Sequence, residues 1–237
     1  MKTLRSTTGP FQDRPFFDQE EIEQICTDEL RKMGLFPAAP GPVRIDRFIE
    51  KRFEIVPSYE PMGKGILGYS EFGEKGVQKI VISRELDESD ALVDQRRLKT
   101  TMAHEAGHCL LHSHLFALSG SNESLFGSNS DVVGSKILCR DEVSTGSAKN
   151  KSRYDGRWWE FQANQVMGAI LLPKRLVIQC VEPYLIAQGQ LGIKVFDSSR
   201  REEAVRQLAD VFDVNPAVIR IRLNGLYPEN QVAQLIL

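Results

Sequence analysis

Residues 98–115 hold all four histidines of the chain and no proline. Leu98, Met102, Gly107, Cys109, Leu110, Leu111 and Leu115 supply the apolar and small positions of this stretch, and the run predicts one long helix. Within it stands His104-Glu105-Ala106-Gly107-His108. Histidines at i and i+4 lie one turn apart on the same helix face, so both imidazoles reach one metal ion. Glu105, between them, then reaches a metal-activated water as general base. Four histidines in 237 residues produce such a pattern by composition on the order of 0.005 times per chain, so chance is a weak competitor.

A catalytic zinc takes three protein ligands and keeps one position open, which leaves one ligand to find. His112 continues the i, i+4 series but lies about 12 Å along the helix axis from His104, too far for three rings to converge. His114 completes the histidine spacing of the metzincin pattern, in which a glycine bends the chain back after the second histidine. Leu111 stands at that place here, without glycine's freedom. Glu160 is the third candidate: Glu160, Ala163, Asn164 and Met167 share one helical face by spacing. Ala163 is small enough for two helices to approach, and Asn164 can orient a ligand through a hydrogen bond. Spacing by itself favours a solvated surface carboxylate at Glu160.

The remainder of the chain organises around that helix. Asp18-Gln19-Glu20-Glu21 is an acidic helix start followed by Ile22, Ile25, Leu30 and Met33 at amphipathic spacing. A Pro/Gly break at 37–42 precedes a helix over 43–52 that runs into a strand at 53–57. Two short apolar runs, 65–69 and 78–82, predict a hairpin in a small sheet beside the histidine helix. Residues 119–157 turn to Ser, Gly, Asn and charge and read as a mobile surface insertion with one short strand around Ile137-Leu138-Cys139. Helix resumes over 158–172 and stops at Pro173. Two further helices flank Asp213-Val214-Asn215, with Pro216 placed to begin the second. The expected class is α+β: a mainly helical, zincin-like catalytic domain over 18–195, a flexible 1–17, and a helical unit over 196–237 with a helix-turn-helix pattern.

Composition narrows the partners. Hydrophobic residues at 41% and charged residues at 26% suit an ordinary globular protein. A net charge of -2 gives no overall pull toward nucleic acid or anionic membrane. Cys26, Cys109, Cys139 and Cys180 are scattered, without a Cys-x-x-Cys pair, which fits reduced thiols in a cytoplasm. The first fourteen residues carry no apolar run of signal-peptide length, and no stretch approaches about 20 apolar residues. The expectation is a cytoplasmic chain with no membrane partner.

His104 to His108 followed by Cys109-Leu110-Leu111-His112, and Glu160-Phe161-Gln162-Ala163-Asn164 leading into Ala169-Ile170-Leu171-Leu172-Pro173, together resemble the ImmA/IrrE family of bacterial metallopeptidases. The resemblance covers both motif helices and, more loosely, residues 45–114. It implies a gluzincin-like zinc site with His104, His108 and Glu160 as ligands, and Asn164 behind them. The stretch between His108 and Glu160 is longer than the compact arrangement of that family. Kinship further implies a protein substrate, often a helix-turn-helix repressor, and hence a role in transcription regulation.

Other residues invite narrower readings. Cys139 as an inhibitory thiolate ligand competes with a small packing residue, which is the commoner use. Tyr154 is a conceivable oxyanion donor, and Trp158 and Trp159 read as packing aromatics. Imidazole and carboxylate also accept manganese and other divalent ions. A DNA-binding regulator is the main alternative, with Arg220 and Arg222 on the second helix of the C-terminal pair, although Asp210 and Asp213 dilute the basic footprint. A third reading keeps the zinc in a sensor or latent peptidase that acts only after the 119–157 insertion is reorganised.

Overall fold

The computed structural model describes residues 2–5, 13–73, 75–118, 132–133, 136–140, 158–188 and 193–228. Residues 1–17, expected to be a flexible lead, contain paired strands: β1 (Lys2–Arg5) runs antiparallel to β2 (Asp13–Phe16). Ladder hydrogen bonds satisfy the backbone of these segments, which their bland composition did not announce.

Helix α1 (Gln19–Lys32) begins for a local reason. The Asp18 carboxylate accepts from the Glu21 amide at 2.8 Å, and Glu21 Oε2 accepts from the Asp18 amide at 3.0 Å. This reciprocal cap satisfies two otherwise orphan donors. Helix α2 (Ile45–Phe53) ends at Glu54, which takes the left-handed conformation with φ 59°. The following strand is β3 (Ser58–Glu60), not 53–57, because the helix runs through Phe53 and Pro57 has no N–H for a ladder.

Strands β4 (Ile66–Gly73) and β5 (Gly76–Ser83) form the expected antiparallel hairpin. Parallel β3 extends it beyond β5. On the other side β7 (Lys136–Arg140) pairs antiparallel with β4, followed by β6 (Val132–Val133), giving the order β3-β5-β4-β7-β6. Part of the segment expected on the surface is therefore built into the sheet, and Ile137 is wholly buried. The rest of 119–157 lies outside the described residues.

The two faces of the sheet differ. Tyr69, Glu71, Lys79 and Lys136 meet on one side, with Lys136 Nζ over the Tyr69 ring and paired to Glu71. Gly68, Ser70 and Phe72 on β4 are buried. Across this buried face lies α4 (Leu92–Leu111), preceded by the short α3 (Arg84–Asp87). A Cβ on Gly68 would sit 2.8 Å from the Val81 carbonyl oxygen and 3.0 Å from a Thr101 methyl; its absence lets the helix lie close.

Every residue of α4 from Thr100 to Cys109 is buried, as befits a helix enclosed on all sides. The long helix expected over 98–115 starts earlier and breaks at His112, after which α5 (Ser113–Leu118) begins. Opposite the sheet, α6 (Trp158–Leu171) crosses α4. A Cβ on Gly107 would meet the Ala163 carbonyl oxygen at 2.9 Å and its Cα at 3.1 Å. Gly107 and Ala163 together set the close approach of the two helices. Trp158 and Trp159 are buried packing residues.

After Pro173 come α7 (Lys174–Val181), the hairpin β8 (Leu185–Gln188) and β9 (Ile193–Phe196), then α8 (Arg201–Phe212) and α9 (Pro216–Leu226). These last helices share one hydrophobic core with the rest: Leu208, Phe212, Ile219 and Leu223 belong to the same cluster as Ala103 and Val166. Asp213, in the left-handed region at φ 53°, pairs with Arg96 and Lys99 of α4. The architecture is mixed α+β, and no helix among the described residues is long and apolar enough to cross a membrane.

Arg222 is the main polar tie of α9. It is buried, its guanidinium grips both oxygens of buried Glu23, and it donates to the Leu172 carbonyl from Nε at 3.1 Å. Removing one member of a buried pair strands the other charge and costs about 3–5 kcal/mol. We expect Arg222→Ala to lose that much in chemical denaturation, and Arg222→Met with Glu23→Leu to recover most of it. A change in Arg222→Ala below about 1 kcal/mol, the level of an exposed pair, would refute this role.

Candidate metal centre

The period of α4 brings His104 and His108 onto one face, with ring centroids 4.7 Å apart. Their Nε2 atoms lie 3.0 Å from each other. Helix α6 delivers Glu160 to the same point: Oε2 is 3.1 Å from His104 Nε2, and Oε1 is 3.4 Å from His108 Nε2. Ligand atoms of all three residues fall within 4.8 Å of one another, and all three residues are buried.

This donor set fits a divalent cation. Ligands 2.0–2.1 Å from a tetrahedral ion stand about 3.3–3.4 Å apart, close to the 3.0–3.4 Å separations here. Two imidazole nitrogens aimed at each other need a shared proton or a shared cation between them. Glu160 Oε1 is buried with no hydrogen bond, an orphan that a cation would satisfy.

Each ring is held from behind. Asn164 Oδ1 lies 3.1 Å from His104 Nδ1, where it accepts the N–H and leaves Nε2 bare. His112 Nδ1 lies 3.0 Å from His108 Nδ1, and its own Nε2 lies 3.1 Å from Gln162 Oε1. Distance along the helix rules His112 out as a third ligand, yet its i, i+4 spacing from His108 puts its ring against that histidine. His114, on α5, is exposed and stands outside the His104–His108–Glu160 group.

Glu105 points toward the sheet. Ser70 Oγ donates to Glu105 Oε2 at 2.5 Å, and the Cys109 thiol reaches the same Ser70 oxygen at 3.6 Å. Sequence reading missed both Ser70 and Gln162. The usable signals were a hydroxyl two residues after Gly68 on a half-buried strand and a polar side chain inside a Trp-rich helix start.

The electrostatics follow from burial. Burial pushes the Glu105 carboxyl up to about 8, with the Glu160 charge adding to the rise and His104 and Ser70 opposing it. A cation at the adjacent site would pull it back toward the ionised form. Burial also acts to raise the Glu160 carboxyl, but its electrostatic interactions with the adjacent His108 and His104 outweigh it and hold Glu160 well below its ordinary value. Burial opposes charge on His104, yet its hydrogen bond and charge interaction with Glu160 leave its pKa raised. Burial, reinforced by His108, keeps His112 neutral.

A pH dependence follows. A raised His104 pKa means that the metal-free site still holds a proton above the ordinary value of 6.5, and a metal must displace it. Zinc affinity should therefore rise with pH through and beyond 6.5, with proton release. Calorimetry in buffers of different ionisation enthalpy measures that release; zinc uptake without proton release near pH 6.5 would contradict the assignment.

Two sequence-derived candidates, the Cys139 thiol and Tyr154, lie outside the described side chains; the Cys139 backbone pairs with Gly68 in the sheet. The arginines of the DNA-binding alternative are engaged: Arg222 is buried against Glu23, and Arg220 holds Glu202 through two hydrogen bonds at 2.9 and 2.6 Å. The chain matches no protein-family model and no curated protein, so the chemistry rests on the geometry of this site.

Proposed function

We propose that the protein is a zinc-dependent endopeptidase of the ImmA/IrrE type, with a zincin-like catalytic fold, acting in the cytoplasm on a protein substrate such as a helix-turn-helix repressor. One observation carries the reading: two imidazoles from one helix turn and a carboxylate from a crossing helix converge on one buried point, with Glu105 within electrostatic reach of His104 and Glu160. The sheet flanking α4 and the small-residue crossing at Gly107 and Ala163 support the fold assignment.

In this reading His104, His108 and Glu160 hold the metal, and Asn164 and His112 fix the two rings. When bound, the ion supplies Lewis-acid polarisation of a carbonyl and activation of water. Glu105 accepts the proton of the attacking water at its carboxylate and passes it to the leaving amine. Ser70 holds one carboxylate oxygen of Glu105, and the other, Oε1, is buried without a hydrogen-bond partner among the described residues. Replacing Ser70 with alanine should slow hydrolysis roughly 10–100-fold, the equivalent of about 1.5–3 kcal/mol for a hydrogen bond to a charged group. Zinc content should not change, and unaltered turnover in that variant would remove Ser70 from the mechanism.

Burial favours a second form of the same reading, a latent peptidase. His104 is 1% exposed, Glu160 6%, and Glu105 and His108 0%, so a polypeptide cannot reach the site without a rearrangement. The test is to incubate the zinc-loaded protein, intact and trimmed only within 119–131 and 141–157 so that β6 and β7 stay in the sheet, with a library of folded and unfolded polypeptides and to identify fragments by mass spectrometry. Cleavage that disappears in Glu105→Gln supports the peptidase, and gain on trimming supports latency. No cleavage by either form, with zinc bound, would favour a non-enzymatic regulator.

A further inference from the structure

The line of hydrogen bonds behind His108 has a direction. Gln162 Nε2 donates to the Pro15 carbonyl at 2.9 Å, and a backbone carbonyl can only accept. The amide of Gln162 must therefore turn its Oε1 toward His112. An oxygen there accepts, so His112 carries its hydrogen on Nε2, 3.1 Å away. His112 Nδ1 is then bare and accepts from His108 Nδ1–H at 3.0 Å. His108 is left with a lone pair on Nε2, the atom that faces His104 Nε2 and Glu160.

The geometry points to His112 and Gln162 as positioning residues that transmit the acceptor character of the Pro15 carbonyl, on strand β2, to His108 and so select the tautomer able to ligate a metal. This rests on the metal reading of the site. The three side chains come from two helices, and Pro15 from a strand 147 residues away from Gln162 in the chain. Reversing any one link reverses the rest. A flipped Gln162 amide donates to His112 Nε2, His112 then donates from Nδ1, and His108 must place its hydrogen on Nε2, where it blocks the site. The ring of Trp158 packs edge-on against His112, with centroids 5.6 Å apart, and holds it in line between the two partners. The N-terminal hairpin thereby becomes part of the support of the metal site.

The test has two readouts that need no substrate. In the full-length, metal-free protein, 15N spectra of the imidazoles should show His112 protonated at Nε2 and His108 at Nδ1. Zinc affinity, measured by competition with a chromogenic chelator, should fall about 10–100-fold in His112→Phe and in Gln162→Met, the range for lost support of a ligating histidine. Gln162→Glu keeps an acceptor toward His112 and, protonated on its other oxygen, a donor toward Pro15, so it should recover most of the affinity. His112 protonated at Nδ1, or unchanged affinity in both disrupting variants, would overturn the proposal. Should the variants fail to fold, the wild-type tautomers still decide it. Absence of zinc binding by the wild type, with the tautomers as stated, would sink the metal reading while upholding the direction of the chain.

Discussion

Glu160→Ala should leave the purified protein without stoichiometric zinc. Two imidazoles on one helix turn supply only two of the three protein ligands a catalytic zinc takes, and no other acidic, histidine or cysteine side chain completes such a group among the described residues. The loss should exceed the about 10–100-fold cost of disturbing a residue behind a ligand. Glu160→Gln separates charge from shape: the amide fills the same space but offers a neutral oxygen, so affinity should still collapse while the fold persists. Elemental analysis of protein purified with added zinc, followed by chelator competition, measures both. His114→Ala is the control, since that ring is exposed and outside the group, and it should keep its metal. One zinc per chain retained in Glu160→Ala would place the third ligand elsewhere.

The second large effect is expected in Glu105→Gln, which should bind zinc as the wild type does and hydrolyse polypeptide about 10²–10⁴ times more slowly. That is the usual contribution of a positioned general base. Glu105 lies outside the ligand group, and its amide counterpart keeps the shape of the side chain beside Ser70. Retained turnover would remove Glu105 from the mechanism.

The same substitution has a signature in the metal-free protein. A carboxyl raised from 4.5 to about 8 in the fold contributes stability below pH 4.5 that is lost as pH rises through about 8, because the unfolded chain binds fewer protons across that window. Glutamine has no such slope. Thermal melts of apo wild type and apo Glu105→Gln between pH 4.5 and 8 should therefore diverge as pH rises, with the variant gaining relative stability. Parallel curves would show that Glu105 is not buried as an acid.

The elements legible from sequence were those whose signals are local. The acidic helix start over 18–21, the hairpin around Gly76, the stop at Pro173 and the start at Pro216 each depend on a few neighbouring residues, and each appears in the structure. The strand expected at 53–57 shifted because the end of α2 was placed by packing, which put Glu54 in a left-handed conformation. The short strand expected around Ile137 appears as β7, but polar flanks put it in a surface segment, because its pairing with β4 depends on a partner some seventy residues earlier. The N-terminal strands were missed for the same reason.

By itself the sequence determined the pairing of His104 with His108 and the place of Glu105 between them, because a helix of 3.6 residues per turn places i and i+4 together whatever surrounds it. Spacing also excluded His112 as the third ligand and left His114 and Glu160 as candidates. Tertiary structure alone decided that Glu160 reaches both rings, that Ser70 holds Glu105, and that His112, Gln162 and the Pro15 carbonyl stand in line behind His108. Those partners sit on the sheet, the crossing helix and the N-terminal strand. Their distances are set by close packing at Gly68, Gly107 and Ala163, a property of surfaces brought together by folding that sequence spacing does not encode.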